Sequence, residues 1–125
     1  MFGLFKRKTI EDCERDLTDL SPKKRRNAAR GLGKVYDERA VLLLASAIQD
    51  PAAEVREAAV VALGHMESTS AVEPLVRALE DQDSTVRLAA KTFLLQLGDP
   101  RSFGPVLRAL NDDVTTDGPG EAALD

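Results

Sequence analysis

The sequence repeats itself every 31 residues. Writing residues 50–80 over 81–111 without a gap sets Asp50 on Asp81, Val55 on Val86, Arg56 on Arg87 and Ala58-Ala59 on Ala89-Ala90. The match runs on through Pro74 and Pro105, Arg77 and Arg108, Ala78 and Ala109, and Leu79 and Leu110. One step back, Asp19, Arg25, Ala28, Leu32, Gly33, Ala40, Val41, Leu44, Ala47 and Ile48 hold the same columns, and Ile10, Cys13 and Leu17 fall on those of Val41, Leu44 and Ile48. Three full repeats thus follow a leading half. A fixed period of this length marks a stacked architecture, in which each unit hides its apolar face only against its neighbours.

Within a repeat the apolar spacing is helical. Val55, Ala58, Ala59, Ala62 and Leu63 follow the i, i+3, i+4, i+7, i+8 stripe, and Val72, Leu75, Val76 and Leu79 make a second one. Each repeat therefore reads as two helices. Helix starts are signalled by Thr9-Ile10-Glu11-Asp12, a capping-box pattern, and by Ser21-Pro22 and Asp50-Pro51, an N-cap followed by a proline; Gly98-Asp99-Pro100 divides the helices of the last repeat. A 31-residue helix pair is too small to fold by itself, so stacking must supply the core. Small residues (Ala58, Ala59, Ala89, Ala90) let helices approach, and Leu63, Leu75, Leu79, Phe93, Leu94, Val106 and Leu107 are expected to fill the space between layers. The expected organisation is a flexible amphipathic segment at 1–8, a repeat domain at 9–112 and, where the periodicity ends, a disordered acidic tail at 113–125.

With aromatics at 4% and no Trp, such a core must be built from Ala, Val and Leu. Cys13 is the only cysteine, which rules out an intramolecular disulfide and suits a reducing, cytoplasmic location. The longest apolar run, Ala58 to Leu63, is far shorter than the ~18–20 residues of a membrane span, and the N-terminus lacks a secretory pattern. Net charge is −4 but uneven: residues 1–39 carry 11 Lys and Arg against 7 Asp and Glu, while residues 40–125 carry 6 against 14. An acidic array poor in aromatics is not expected to bind nucleic acid.

The stretch Val55-Arg56-Glu57-Ala58-Ala59-Val60-Val61-Ala62-Leu63-Gly64, followed by Ala71-Val72-Glu73-Pro74-Leu75-Val76-Arg77-Ala78-Leu79, resembles the short HEAT-like repeat of the phycobilin-lyase type, and residues 86–110 repeat it. The resemblance covers about residues 9–112 and is weaker in the first repeat, where Asn27 and Arg30 replace apolar residues. It implies an all-α fold, a right-handed α-solenoid of about three and a half two-helix repeats. It also implies that the turn Asp and the Arg that follows form a structural ladder between repeats, at Asp50, Arg56, Asp81 and Arg87, with Asp19 and Arg25 on the same columns.

Some relatives of this repeat are di-iron hydroxylases, which the resemblance says should carry paired His-Glu motifs. This chain has one histidine, His65, and a metal site draws three or four donors. Cys13 shares the column of Leu44, Leu75 and Val106, a core position that does not suit a reactive thiolate. Gly31-Leu32-Gly33 lies within a helix column and lacks the strand that precedes a phosphate loop. The residues offer no catalytic constellation, cofactor site or metal site. The expectation is a non-enzymatic adaptor that binds a protein partner, with a phycobilin-lyase-like chaperone subunit as an alternative resting on fold analogy.

A partner is expected on the second helices, which in stacked repeats usually line the concave surface. One solvent-facing column reads Arg15, Ser46, Arg77, Arg108, able to grip an acidic peptide; beside it stand Leu42 and Glu73. Glu11 with Arg15 and Glu73 with Arg77 have i, i+4 spacing and could pair within their own helices. A second alternative is shallow contact with an anionic membrane surface through Phe2, Leu4 and Phe5 beside Lys6, Arg7 and Lys8. The last helix, with Phe103, Val106 and Leu107, shows no polar cap, which leaves self-association through that end open.

Overall fold

The computed structural model describes residues 8–116, with side chains as far as Asp112. Seven α-helices and two 3-10 turns make up the described chain, and none of it is strand: α1 (Ile10–Asp16), α2 (Pro22–Leu32), α3 (Glu38–Ala47), α4 (Ala53–Met66), α5 (Val72–Ala78), α6 (Ser84–Leu97) and α7 (Phe103–Thr116). The turns, Thr69–Ala71 and Pro100–Ser102, lead into α5 and α7. Starts of α2, α4 and α6, and of α5 and α7, are offset by the 31 residues of the sequence period. The first repeat departs from it, because α3 begins without a 3-10 turn before it.

Local chemistry sets most boundaries. Thr9 and Asp12 exchange side-chain to backbone bonds of 3.1 Å each, completing the capping box of α1. Ser21 caps α2 ahead of Pro22, and Asp83 caps α6 through Thr85 and Val86. Helix α4 ends on Glu67 at φ 54° and α6 on Gly98 at φ 63°, the left-handed turn that releases the chain from a helix. Asp50-Pro51 does not cap α4. That helix is capped at Ala52 without a side-chain bond, because the Asp50 carboxylate accepts from the Ala52 amide and from Arg25.

The first helices α2, α4 and α6 stack directly on one another, whereas α1, α3, α5 and α7 pack chiefly against first helices. Alanines make the close stack: Ala28, Ala59 and Ala90 occupy one column and are all buried. Cys13, Leu44, Leu75 and Val106 form a buried column of the second-helix layer, and Leu32, Leu63 and Leu94 a buried column of the first. A fully buried leucine of this kind stabilises the fold by roughly 1.5–3 kcal/mol. Small residues thus fix the helix spacing while leucines fill the seam between layers.

Two expectations from the pattern differ from the structure. Leu107 does not fill the core. It is 63% exposed, because among the described residues no repeat lies beyond α7. Helix α7 also continues to Thr116, beyond the loss of periodicity at 112, since extending a helix costs far less than starting one. Residues 117–125 of the expected tail, and 1–7 of the expected amphipathic segment, lie outside the described residues. Among those described, no helix is long and apolar enough to cross a membrane.

Candidate functional site

Neighbouring repeats are tied by one arginine each. From α2, Arg25 donates Nε and Nη2 to the two carboxylate oxygens of Asp50 at 2.8 and 3.2 Å, and Nη1 to the carbonyls of Asp19 and Leu20. Arg56 repeats the arrangement with Asp81 at 2.9 and 3.2 Å and with the carbonyls of Asp50 and Pro51. Arg87 donates to the carbonyls of Asp81 and Gln82. The hydrogen bonds that it donates to the Asp50 carboxylate raise the Arg25 guanidinium above the usual arginine range. Both Arg–Asp pairs are largely shielded from solvent, and every donor named has a partner inside the chain. The arrangement links repeats and leaves these arginines engaged.

The expected partner column lies at the surface. Arg15, Ser46, Arg77 and Arg108 are all exposed, as are Glu73 and Leu42, the latter by 72%. Because the second helices pack on first helices, grooves open beside this column. One of about 300 Å³ between α1 and α3 includes Glu14, Leu17, Leu43 and Ser46. The next, of about 400 Å³, includes Gln49, Arg77 and Glu80. A third, of about 510 Å³, is floored by Val76, Leu79 and Pro105 and rimmed by Glu80, Arg87 and Arg108. Ridges that carry an exposed polar or charged side chain in each repeat, alternating with part-apolar furrows, can hold an extended or helical protein segment.

Pairing on this face differs in one place from the sequence spacing. Arg15 bonds Asp12 at 3.1 Å, three residues back on its own helix, and Glu11 is taken by Arg39 of the next second helix at 3.4 Å. The crossing of α1 and α3 therefore replaces the expected i, i+4 pair. Arg101 was not singled out by the repeat, yet it stands with Val72, Glu73, Val76 and Arg77 around a further groove, donating to the Thr69 carbonyl and to Asp99. Its column holds Arg39 and Ser70 in earlier repeats, a partial match that could have revealed it.

Another groove lies on the first helices and was missed. About 610 Å³ opens over Gly33, Ala58 and Ala62, rimmed by Arg30, Lys34, Tyr36 and His65. His65 is exposed and its ring meets the edge of Phe93 at a centroid distance of 5.2 Å. Cys13 is buried, and burial pushes its thiol above the ordinary cysteine range, which disfavours the reactive thiolate. Of the expected membrane-contact residues, Phe2, Leu4, Phe5, Lys6 and Arg7 lie outside the described residues; Lys8 is exposed and bonds Asp16 at 2.6 Å.

The HEAT repeats family matches residues 14–90 and 43–123. Among solved structures the chain is similar to the complex of CpcE and CpcF of phycocyanin lyase from Nostoc sp. PCC7120. Identity is 30% and the TM-score 0.76, over 84% of this chain and 43% of that one, so this chain spans less than half the length of that relative. Comparison with curated proteins finds no match. The likeness to a lyase overturns the expectation of a non-enzyme, because it points to a lyase-related enzyme family. By its repeats and by the match across most of its length, the chain belongs to the HEAT-repeat family, its repeats being of the phycobilin-lyase type.

Proposed function

We propose that this chain is a lyase-like HEAT-repeat subunit that holds a protein substrate along the grooved face of its second helices. The observation that carries the reading is the exposed column Arg15, Ser46, Arg77, Arg108 set beside consecutive grooves, in a fold similar to a phycocyanin lyase complex. Guanidinium groups one repeat apart at Arg77 and Arg108, and two repeats from Arg77 at Arg15, suit a protein segment with spaced carboxylates, since each can bind a carboxylate through two parallel bonds. The substrate class proposed is a tetrapyrrole-carrying protein of the phycocyanin type.

The test titrates apo-phycocyanin into the full chain and, separately, follows the absorbance of a free bilin mixed with it. Binding weakened at least about tenfold by the combined changes Arg15→Glu, Arg77→Glu and Arg108→Glu is the expected result. Unchanged affinity in that variant rejects the arginine column. Absence of both apo-protein binding and any bilin difference spectrum rejects the lyase-like reading.

A further inference from the structure

The two ends of the solenoid are built differently. At the first end, Lys24 and Asn27 of α2 are exposed in the columns where α4 and α6 carry Val55 and Val86, and Ala58 and Ala89. Lys23 and Arg30 are exposed on the same helix and Lys34 just beyond it, so the described face of this end is polar.

At the last end the opposite holds. Phe103 and Leu110 are 54% and 41% exposed, although their columns are buried in the preceding repeat at Val72 and Leu79 and in the one before at Val41 and Ile48. With Leu107 they form an i, i+4, i+7 stripe along α7. On α6, Leu88 and Leu95 are also exposed, seven residues apart on one side of the helix. Their columns face the next repeat inside the array: Arg26 meets Glu54, and Gly33 and Gly64 meet Ala62 and Phe93.

Leu95 decides what can cover this face. Inside the array its column is glycine, and a Cβ placed on Gly64 would stand 2.2 Å from the Phe93 ring. A further repeat stacked in the internal register would collide with the Leu95 side chain. Among the described residues, α2 finishes the first end with Lys23, Lys24, Asn27 and Arg30, a charged and polar helix face poorly matched to this stripe for head-to-tail stacking. Residues 117–125 hold one large apolar side chain, Leu124, among three carboxylates, too little apolar area to cover five large side chains.

We propose that a second copy of this chain docks here, the ends formed by α6 and α7 meeting face to face about a two-fold axis. A closed, self-complementary contact is the arrangement in which one apolar patch covers its own duplicate. Five side chains each exposing on the order of 100 Å² would bury about 1,000 Å² between two copies, the area at which specific interfaces begin.

Sedimentation equilibrium on the full chain tests this. The expected species has twice the 13.5 kDa chain mass. Leu95→Glu and Leu107→Glu, at positions exposed in the single chain, keep the helical circular dichroism and raise the dimer dissociation constant at least about tenfold. Leu42→Glu, exposed on the second-helix face, leaves the dimer intact. A 13.5 kDa species at every concentration overturns the proposal. So does a mass that keeps rising with concentration, or a dimer indifferent to Leu95→Glu.

Discussion

Arg56 reaches both carboxylate oxygens of Asp81, 25 residues ahead of it, while its remaining terminal nitrogen holds the carbonyls of Asp50 and Pro51 behind it. One side chain thus spans the end of one repeat and the start of the next. The planar fork of five donors is what allows this, and a lysine with one ammonium could satisfy only part of it.

Replacing Arg56 with Ala leaves the shielded Asp81 carboxylate with only the Asp83 amide and deprives two carbonyls of a donor, and should cost about 2–4 kcal/mol in urea unfolding. Arg56→Lys should recover less than half of the loss. Arg108→Ala, at an exposed site, should stay within about 0.5 kcal/mol. Equal effects at Arg56 and Arg108 would remove the distinction between a linking arginine and a surface one.

Gly64 is a packing glycine. Its Cβ-less backbone lies under Phe93, and a methyl group there would sit 2.2 Å from ring carbons. Gly64→Ala should therefore destabilise by about 1–3 kcal/mol despite the better helix propensity of alanine. Pairing it with Phe93→Leu should restore part of that. Gly104→Ala, with nothing within 4 Å of the new atom, should be neutral or gain up to about 1 kcal/mol.

Glu67 terminates α4 at φ 54°, in the column where α6 uses Gly98. A side chain in the left-handed region costs roughly 1 kcal/mol, so Glu67→Gly should raise the thermal midpoint and Gly98→Ala should lower it. A drop for Glu67→Gly would mean that its side chain contributes more than its backbone strain removes.

Several carboxylates cap turns. The Thr85 hydroxyl, then the backbone amides of Val86 and Thr85, hold Asp83 below the usual carboxylate range. The Ser21 amide does the same for Asp19, and the Arg101 side chain for Asp99. Groups depressed in the folded state add stability that is fully present above the unfolded value of about 3.9 and lost as pH falls through their lower folded values. The thermal midpoint should therefore fall as the pH drops below about 4. Asp83→Asn, which keeps an acceptor but does not titrate, should make that fall shallower. A midpoint flat from neutral pH down to about 2 would contradict the account.

The helices, the repeat and the buried columns were legible in the residues, since a period of 31 with helical stripes inside it reports which side chains must leave water. Ile10, Cys13, Leu44 and Leu75 could be placed in the core from their columns, and all four are buried. The exposed positions of Arg15, Ser46, Arg77 and Arg108 follow from the same periodicity. Local pattern states which face of a helix is apolar and says nothing about what stands opposite it. Hence Leu107 reads like its interior counterparts although none of the described repeats covers it, and Glu11 pairs with Arg39 across two helices instead of along one. Tyr36 and His65 come to rim one groove because α2 and α4 close over Gly33 and Ala62. Spacing along the chain determined what each helix hides; only the approach of one helix to the next, set by glycine, alanine and the bridging arginines, decided which exposed groups share a surface.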